Sequence, residues 1–394
     1  MTTRCELAAH VEQRLLARNE TIDAFFVREA RRLALACREM ADRFLRGGHL
    51  LAFGRGPYAT DAQHVSVEFV HPVIVGKRAL PAQDLSILFR PWLEAIISPD
   101  DIVMGFGPPE GDAEVSAALE WADARHAMTF AMPGQRGSYA MCSPTPDPFV
   151  HQELMEILYH TLWETVHVFL EHRELGQAVG DAGFLYPFLG QQKQQTDNVI
   201  TAAADSILAK AAEDATLRAE VAREDAEQIS AAALAMSDRL RRGGKLIIFG
   251  NGGSATDAND WAIDCVFPQA GWRSLPAVSL SLEPANISAI ANDVGADLIF
   301  LRQLIAQARS ADAAIAISTS GGSRNVILAL EEARRRHMLT VALLGNDGGE
   351  IRRRELADFA LVVRSSYIPR IQEVQASIYH VIREILELVS RGEA

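Results

Sequence analysis

The sequence lacks three things. It has no apolar run long enough to span a membrane, no CxxC pair among its four scattered cysteines (Cys5, Cys37, Cys142, Cys265), and no excess of positive charge, the net charge being −13. Each absence excludes something. A spanning helix needs about 20 consecutive apolar residues, so no membrane segment is expected. Widely spaced cysteines fit unpaired thiols in a reducing compartment, with Cys37 and Cys265 as core residues in apolar helical contexts. An acidic chain lacks the basic footprint of a nucleic-acid or anionic-membrane surface, so neither contact is expected. A small anion held by local dipoles stays allowed. The opening stretch MTTRCELAAHVEQRLLARNE lacks the basic-then-apolar order of a secretory signal. A cytoplasmic protein is therefore expected.

What is present is a chain of 394 residues, 48% hydrophobic, enough for two or three domains with real cores. It carries parts of itself twice. FGRGPYATDAQHVSVEFVHP (53–72) and FGNGGSATDANDWAIDCVFP (249–268) agree at 9 of 20 positions without a gap. DIVMGFGPPEGDAEVSAALEWADARHAMTFAMPG (101–134) matches DAAIAISTSGGSRNVILALEEARRRHMLTVALLG (312–345), and HQELMEILYH (151–160) matches IQEVQASIYH (371–380). The offsets are 196, 211 and 220, so the second copy carries about 15 additional residues between the first two blocks. A period this long is a duplicated domain, not a solenoid.

Within each copy short apolar strands alternate with helices, the signature of a parallel sheet covered on both faces. The expected class is α/β: two tandem domains, each a parallel sheet flanked by helices in a flavodoxin-like three-layer sandwich. The expected boundaries are 1–175, a linker at 176–195 rich in Gly and Gln, and 196–394.

In the second copy, Gly250-Asn251-Gly252-Gly253-Ser254 and Ser318-Thr319-Ser320-Gly321-Gly322-Ser323 each join a strand to a helix. Glycines let the backbone approach a ligand, and free N–H groups at a helix start favour an anion. Ligands bind at the carboxyl ends of strands in such sheets. Helix capping accounts for any one of the hydroxyls, but four within six residues exceed what a cap requires.

The ordered motifs GNGGSA, AIAND, ISTSGGSRN, LLGNDGG and RIQEVQASIYH resemble the sedoheptulose-7-phosphate (phosphoheptose) isomerases of the sugar isomerase, or SIS, superfamily. The resemblance covers about 195–390 and, more weakly, most of 1–172. A replication-initiation regulator in the superfamily shares nearly all of these motifs. The resemblance implies that Asn251, Gly252, Gly253, Ser254, Ser318, Thr319, Ser320 and Ser323 hold a sugar phosphate, with Asn292 and Asp293 at the sugar end and Gln372 beside it. It further implies a divalent metal, zinc in the family, held by a His, a Glu, a Gln and a His.

The first copy has that quartet complete as His64, Glu68, Gln152 and His160; the second has Asp260, Asp264, Gln372 and His380 as a possible second site. Residues i, i+4 and i+8 share a helix face, which makes both spacings usable. Aldose–ketose isomerisation needs a base and an acid. The family roles fall on Asp264 with His380, and on Glu68 with His160.

The copies depart from each other in opposite ways. The counterpart of STSGGS is Gly107-Pro108-Pro109-Glu110-Gly111-Asp112, whose prolines lack N–H donors and whose carboxylates repel phosphate. Three readings follow. One is a phosphosugar isomerase working in its second half, alone or with groups from the first, the chain pairing as a homodimer that forms a pseudo-tetramer of domains. The second is a sugar-phosphate-binding regulatory or interaction protein with lost catalysis. The third is a structural partner with vestigial pockets.

Overall fold

The computed structural model describes residues 4–72, 77–174 and 196–392. The segment expected as a linker, 176–195, lies outside the described residues. The chain opens with helix α1 (Arg4–Leu45), then β1 (Leu50–Gly54), α2 (Ala59–Val70), β2 (Ala82–Asp84), α3 (Phe89–Ile96), β3 (Ile102–Phe106), α4 (Ala113–Asp123), β4 (Met128–Met132), β5 (Tyr139–Ala140) and α5 (Pro148–Glu174). The second series is α6 (Thr196–Arg241), β6 (Leu246–Gly250), α7 (Gly253–Val266), β7 (Ala277–Ser279), α8 (Pro284–Asp293), α9 (Ile299–Gln307), β8 (Ala313–Ser318), α10 (Arg324–Arg335), β9 (Leu339–Gly345), α11 (Gly349–Arg353), β10 (Phe359–Val363) and α12 (Ile368–Arg391).

Both sheets have five parallel strands in one order, β2-β1-β3-β4-β5 and β7-β6-β8-β9-β10. The central strands LLAFG and LIIFG are buried at every position, as strands covered on both faces must be. Alternate residues serve opposite faces. Leu50 and Ala52 join the core with α1, α2 and α5, while Leu51 and Phe53 join α3 and α4. In the second sheet Leu246 and Ile248 face α6, α7 and α12, while Ile247 and Phe249 face α9 and α10. The strand order reverses beside β1 and β6. The crevice therefore opens between the loops after β1 and β3, and between those after β6 and β8.

The compact units are Glu20–Glu213 in one case and Met1–Asn19 with Asp214–Ala394 in the other. Burial accounts for the division. Leu7, Val11 and Leu15, from the start of α1, belong to the core of the second sheet, and Val199, Ile200 and Ile207, from the start of α6, to that of the first. In the unit of the second sheet the opening helical turns are fixed by buried charge. Arg18 donates to Glu384 at 3.0 Å; Arg218 bonds Asp214 at 2.6 Å, Asn19 at 2.7 Å and Ser377 at 2.9 Å. Arg218 and Asp214 are both fully buried, and such a pair is tolerable only when its remaining donors are satisfied. Cys37 and Cys265 are buried in the cores. No helix among the described residues is long and apolar enough to cross a membrane.

Candidate functional site

The second sheet places the two glycine–hydroxyl loops side by side at its crevice. After β6 the chain passes Asn251 and Gly252 and enters α7. Gly252 has φ 59° and ψ −128°, a backbone state open to glycine and strained for other residues. After β8, Ser318 Oγ accepts the N–H of Gly321 at 3.1 Å and Ser320 Oγ that of Gly322 at 3.2 Å. Ser323 caps α10 by position, and its side chain makes no cap hydrogen bond. Gly321 has φ 59°, and a Cβ there would sit 2.2 Å from the carbonyl oxygen of Gly348, so the loop rests directly on the turn after β9. Ser254 and Ser318 are buried, whereas Asn251, Gly252 and Ser320 are exposed. The loops thus present backbone donors and hydroxyls beside two helix starts, partly open to solvent, which suits an anion.

Below the first loop, α7 carries Asp260 and Asp264 on one face, and α12 brings His380 against them. Asp260 lies about two turns from the helix start, roughly 10 Å along the axis. The ring Nε2 of His380 is 3.5 Å from Asp260 Oδ2 and 3.4 Å from Asp264 Oδ2. Tyr379 donates its hydroxyl to Asp260 Oδ2 at 2.8 Å, and Arg383 Nε donates to the backbone oxygen of Asp264 at 3.2 Å. Burial, and then the charge of Asp260, push the Asp264 carboxyl up to about 7, against the opposing pull of His380 and Arg383. Gln372 is buried on α12, two turns before His380. Asn292 and Asp293 end α8, a helix with no buried residue. Asn292 donates to Asp293 at 2.9 Å, and among the described residues no hydrogen bond joins either to the loops.

The first sheet carries the corresponding parts with different chemistry. His64 and Glu68 on α2 meet His160 on α5: His64 Nε2 is 3.8 Å from Glu68 Oε1 and 3.4 Å from His160 Nε2. Ligand atoms of the three lie within 4.8 Å of one another, as do those of Asp260, Asp264 and His380. Burial, reinforced by His160, holds the His64 imidazole well below its ordinary value, which favours the neutral ring. Two buried imidazoles and a carboxylate fit a divalent first-row ion; the aspartate set fits one with more oxygen ligands. Gln152 turns its amide nitrogen to Thr60 at 3.2 Å and to Asp61 at 3.4 Å.

The crevice of the first sheet is bridged by its own side chains. Asp112 accepts the N–H groups of Glu114 and Val115 at the start of α4. Arg55, from the loop after β1, lies 3.1 Å from both Asp112 and Glu114.

Three groups that bear on the second-half site escaped the sequence reading. Tyr379 braces the Asp260 carboxylate, and Arg383 the Asp264 backbone. Asn325 exchanges hydrogen bonds with Asn251, 3.0 Å each way. A signal for Asn325 existed: the residues aligned with Asn251 and Asn325 are Arg55 and Glu114, an opposite-charge pair standing where two amides stand in the other copy.

Comparison with known proteins gives a consistent picture. The SIS domain family pattern matches residues 209–345. The phosphoheptose isomerase of Geobacter sulfurreducens is 45% identical over 166 residues, 42% of this chain and 87% of that protein. That of Geobacter sp. (strain M21) is 44% identical over 160 residues, 40% of this chain and 82% of that protein. A solved structure, the C-terminal domain of glucosamine-fructose-6-phosphate aminotransferase from Francisella tularensis, covers 96% of this chain and 95% of its own, with TM-score 0.61 and 8% identity. That likeness shows the fold of the two-sheet chain.

Proposed function

The chain belongs to the SIS-domain family of the phosphoheptose isomerases, and from that premise we propose that it interconverts the aldose and ketose forms of a phosphosugar, sedoheptulose 7-phosphate or one of similar size, in its second half. The observation that carries this reading is one helix, α7, with an anion loop at its start and the Asp264–His380 pair two to three turns below. Asn251, Gly252, Gly253 and Ser254 with Ser318, Thr319, Ser320 and Ser323 hold the phosphate. Their donors are backbone N–H groups and hydroxyls, which suit a dianion at a helix start without adding a cation.

The chemistry is a proton moved between adjacent carbons. Asp264 takes the proton from the carbon beside the carbonyl, giving an enediolate, and returns it to the neighbouring carbon. His380 shuttles the accompanying proton between the two oxygens. A carboxyl pushed up to about 7 is matched to giving and taking protons near neutrality. Tyr379 and Arg383 keep Asp260 and the Asp264 backbone in place. A divalent ion, zinc by family resemblance, would be held by His64, Glu68 and His160 with Gln152, or by Asp260, Asp264 and His380 with Gln372. Bound beside substrate, it would supply polarisation of the carbonyl. A homodimer and a cytoplasmic setting go with this reading.

A second reading, a sugar-phosphate-binding regulatory protein, draws on the same loops and on the aspartates that stand where the first half has His64 and Glu68. Incubation with sedoheptulose 7-phosphate, with and without added zinc, separates the two. Appearance of the aldose phosphate supports the isomerase. No turnover together with thermal stabilisation by the sugar phosphate supports regulation and sinks the isomerase.

A further inference from the structure

The two anion loops of the second half are clasped by a pair of side chains. Asn251 Nδ2 donates to Asn325 Oδ1, and Asn325 Nδ2 donates back to Asn251 Oδ1, each at 3.0 Å. Asn325 Oδ1 also accepts the backbone N–H of Val326 at 2.9 Å. That third bond settles the direction of the others. The backbone N–H demands an oxygen, so the Asn325 oxygen faces the helix start and its nitrogen is offered to Asn251. Asn251 must answer with its oxygen, and the hydrogen left over on its Nδ2 is a donor. An isolated asparagine at the mouth of an anion site can present its oxygen as readily as its nitrogen; this one is held to the favourable choice.

We propose that Asn325 is a positioning residue of the anion site, orienting the Asn251 amide as a donor and setting the separation of the two loops. The proposal rests on the reading that these loops hold a sugar phosphate. The first half supports it independently. At the aligned positions Arg55 reaches Glu114 at 3.1 Å, bridging the same two loops. The bridge is thus present in both halves, and its chemistry differs where the loops differ. Asn251 is exposed and Asn325 half-buried. Water can replace either bond, and the pair adds little to stability.

The test is calorimetric titration of the full chain with sedoheptulose 7-phosphate and with inorganic phosphate, alongside thermal melts. Asn325→Ala weakens sugar-phosphate binding about tenfold, the worth of one oriented donor to a charged group. Asn325→Asp weakens it further, because an oxygen then faces Asn251 Oδ1 where a donor stood and the carboxylate adds negative charge beside the anion. Melting temperature stays near wild type in both. Asn251→Ala with Asn325→Ala binds no worse than Asn251→Ala alone, since Asn325 acts through Asn251. Wild-type affinity in Asn325→Ala, or strictly additive losses in the double variant, overturns the proposal. If wild type itself binds neither ligand, the reading of the loops fails and the clasp falls with it, an outcome told apart by the wild-type titration alone.

Discussion

The two halves share a strand order and differ at its crevice. In the second, two asparagines join the loops and leave donors over; in the first, an arginine joins two carboxylates, and one of those already caps a helix. The anion that a phosphate would supply is supplied in the first half by Asp112. Deeper down the difference inverts: the first half has two imidazoles and a glutamate, the second two aspartates and one imidazole. The fold accommodates both because the crevice is built from loop residues and helix faces that the sheet does not need for its core. What each half can do is set by those residues and not by the fold.

The largest effect expected from breaking this comparison is on turnover. His380→Ala or Asp264→Asn lowers kcat/KM for the phosphosugar about 10³-fold, the usual worth of a positioned acid or base. His160→Ala leaves it within a few-fold of wild type, if the second half works alone. Equal losses in His380→Ala and His160→Ala would instead make the site a composite of both halves. The pH profile adds a check. With its carboxyl at about 7, Asp264 loses its base form on acidification, so kcat/KM falls as pH drops through neutrality.

Next in size is the binding stoichiometry. One sugar phosphate binds per chain, and Ser320→Ala weakens it about tenfold to a hundredfold, as for a lost hydroxyl on a charged group. Calorimetry that finds two sites per chain would show that the first crevice takes the ligand too, in spite of the Arg55–Asp112 bridge.

Smaller again is a stability effect at Asp264. Its carboxyl is raised in the folded state from 3.8 to about 7. The protonated acid therefore contributes stability that is present below pH 4 and lost as pH rises through 7. At pH 8, in chelator-treated protein, Asp264→Asn should melt above wild type, and the gap should close as pH falls toward 4. A variant that melts lower at pH 8 would mean that Asp264 is held ionised. No counterpart of this effect is expected at Gln152 or Gln372, whose amides carry no titrating proton.

Much of this was legible in the sequence. The apolar runs LLAFG and LIIFG, the duplicated blocks and the strand–helix alternation carry the two parallel sheets. That Asp260 and Asp264 share a helix face was readable from residue spacing alone, because i and i+4 on a helix is a geometric statement. Their meeting with His380 on another helix was implied by the family resemblance and not by spacing. The brace from Tyr379 was not legible, since nothing in a helical register says which neighbour a hydroxyl will meet. The burial of the opening turns of α1 and α6 was hidden for a similar reason. An apolar stripe at Leu7, Val11 and Leu15 says that a face is covered, and only the folded chain says by what.

The smallest effects concern Asp112, where the comparison is sharpest. Its carboxylate does two things: it accepts the N–H groups of Glu114 and Val115 at 2.8 and 2.9 Å, and it accepts a hydrogen bond from Arg55 at 3.1 Å. The first is a helix cap, and removing one costs about 1 kcal/mol. The second is a pair whose arginine is nearly half exposed, worth roughly 0–1 kcal/mol after solvent screening. Asp112→Ala should therefore lower stability by about 1 kcal/mol, because the cap dominates. Asp112→Ser keeps a cap, removes the anion and stays near wild type. Arg55→Ala should be close to neutral, and less sensitive still in high salt, where the pair is already screened. If Arg55→Ala proves the more damaging of the two, the ion pair and not the cap is the main stabilising role of Asp112. The carboxylate would then be there for the arginine. Denaturant melts of the three variants in low and high salt decide the order.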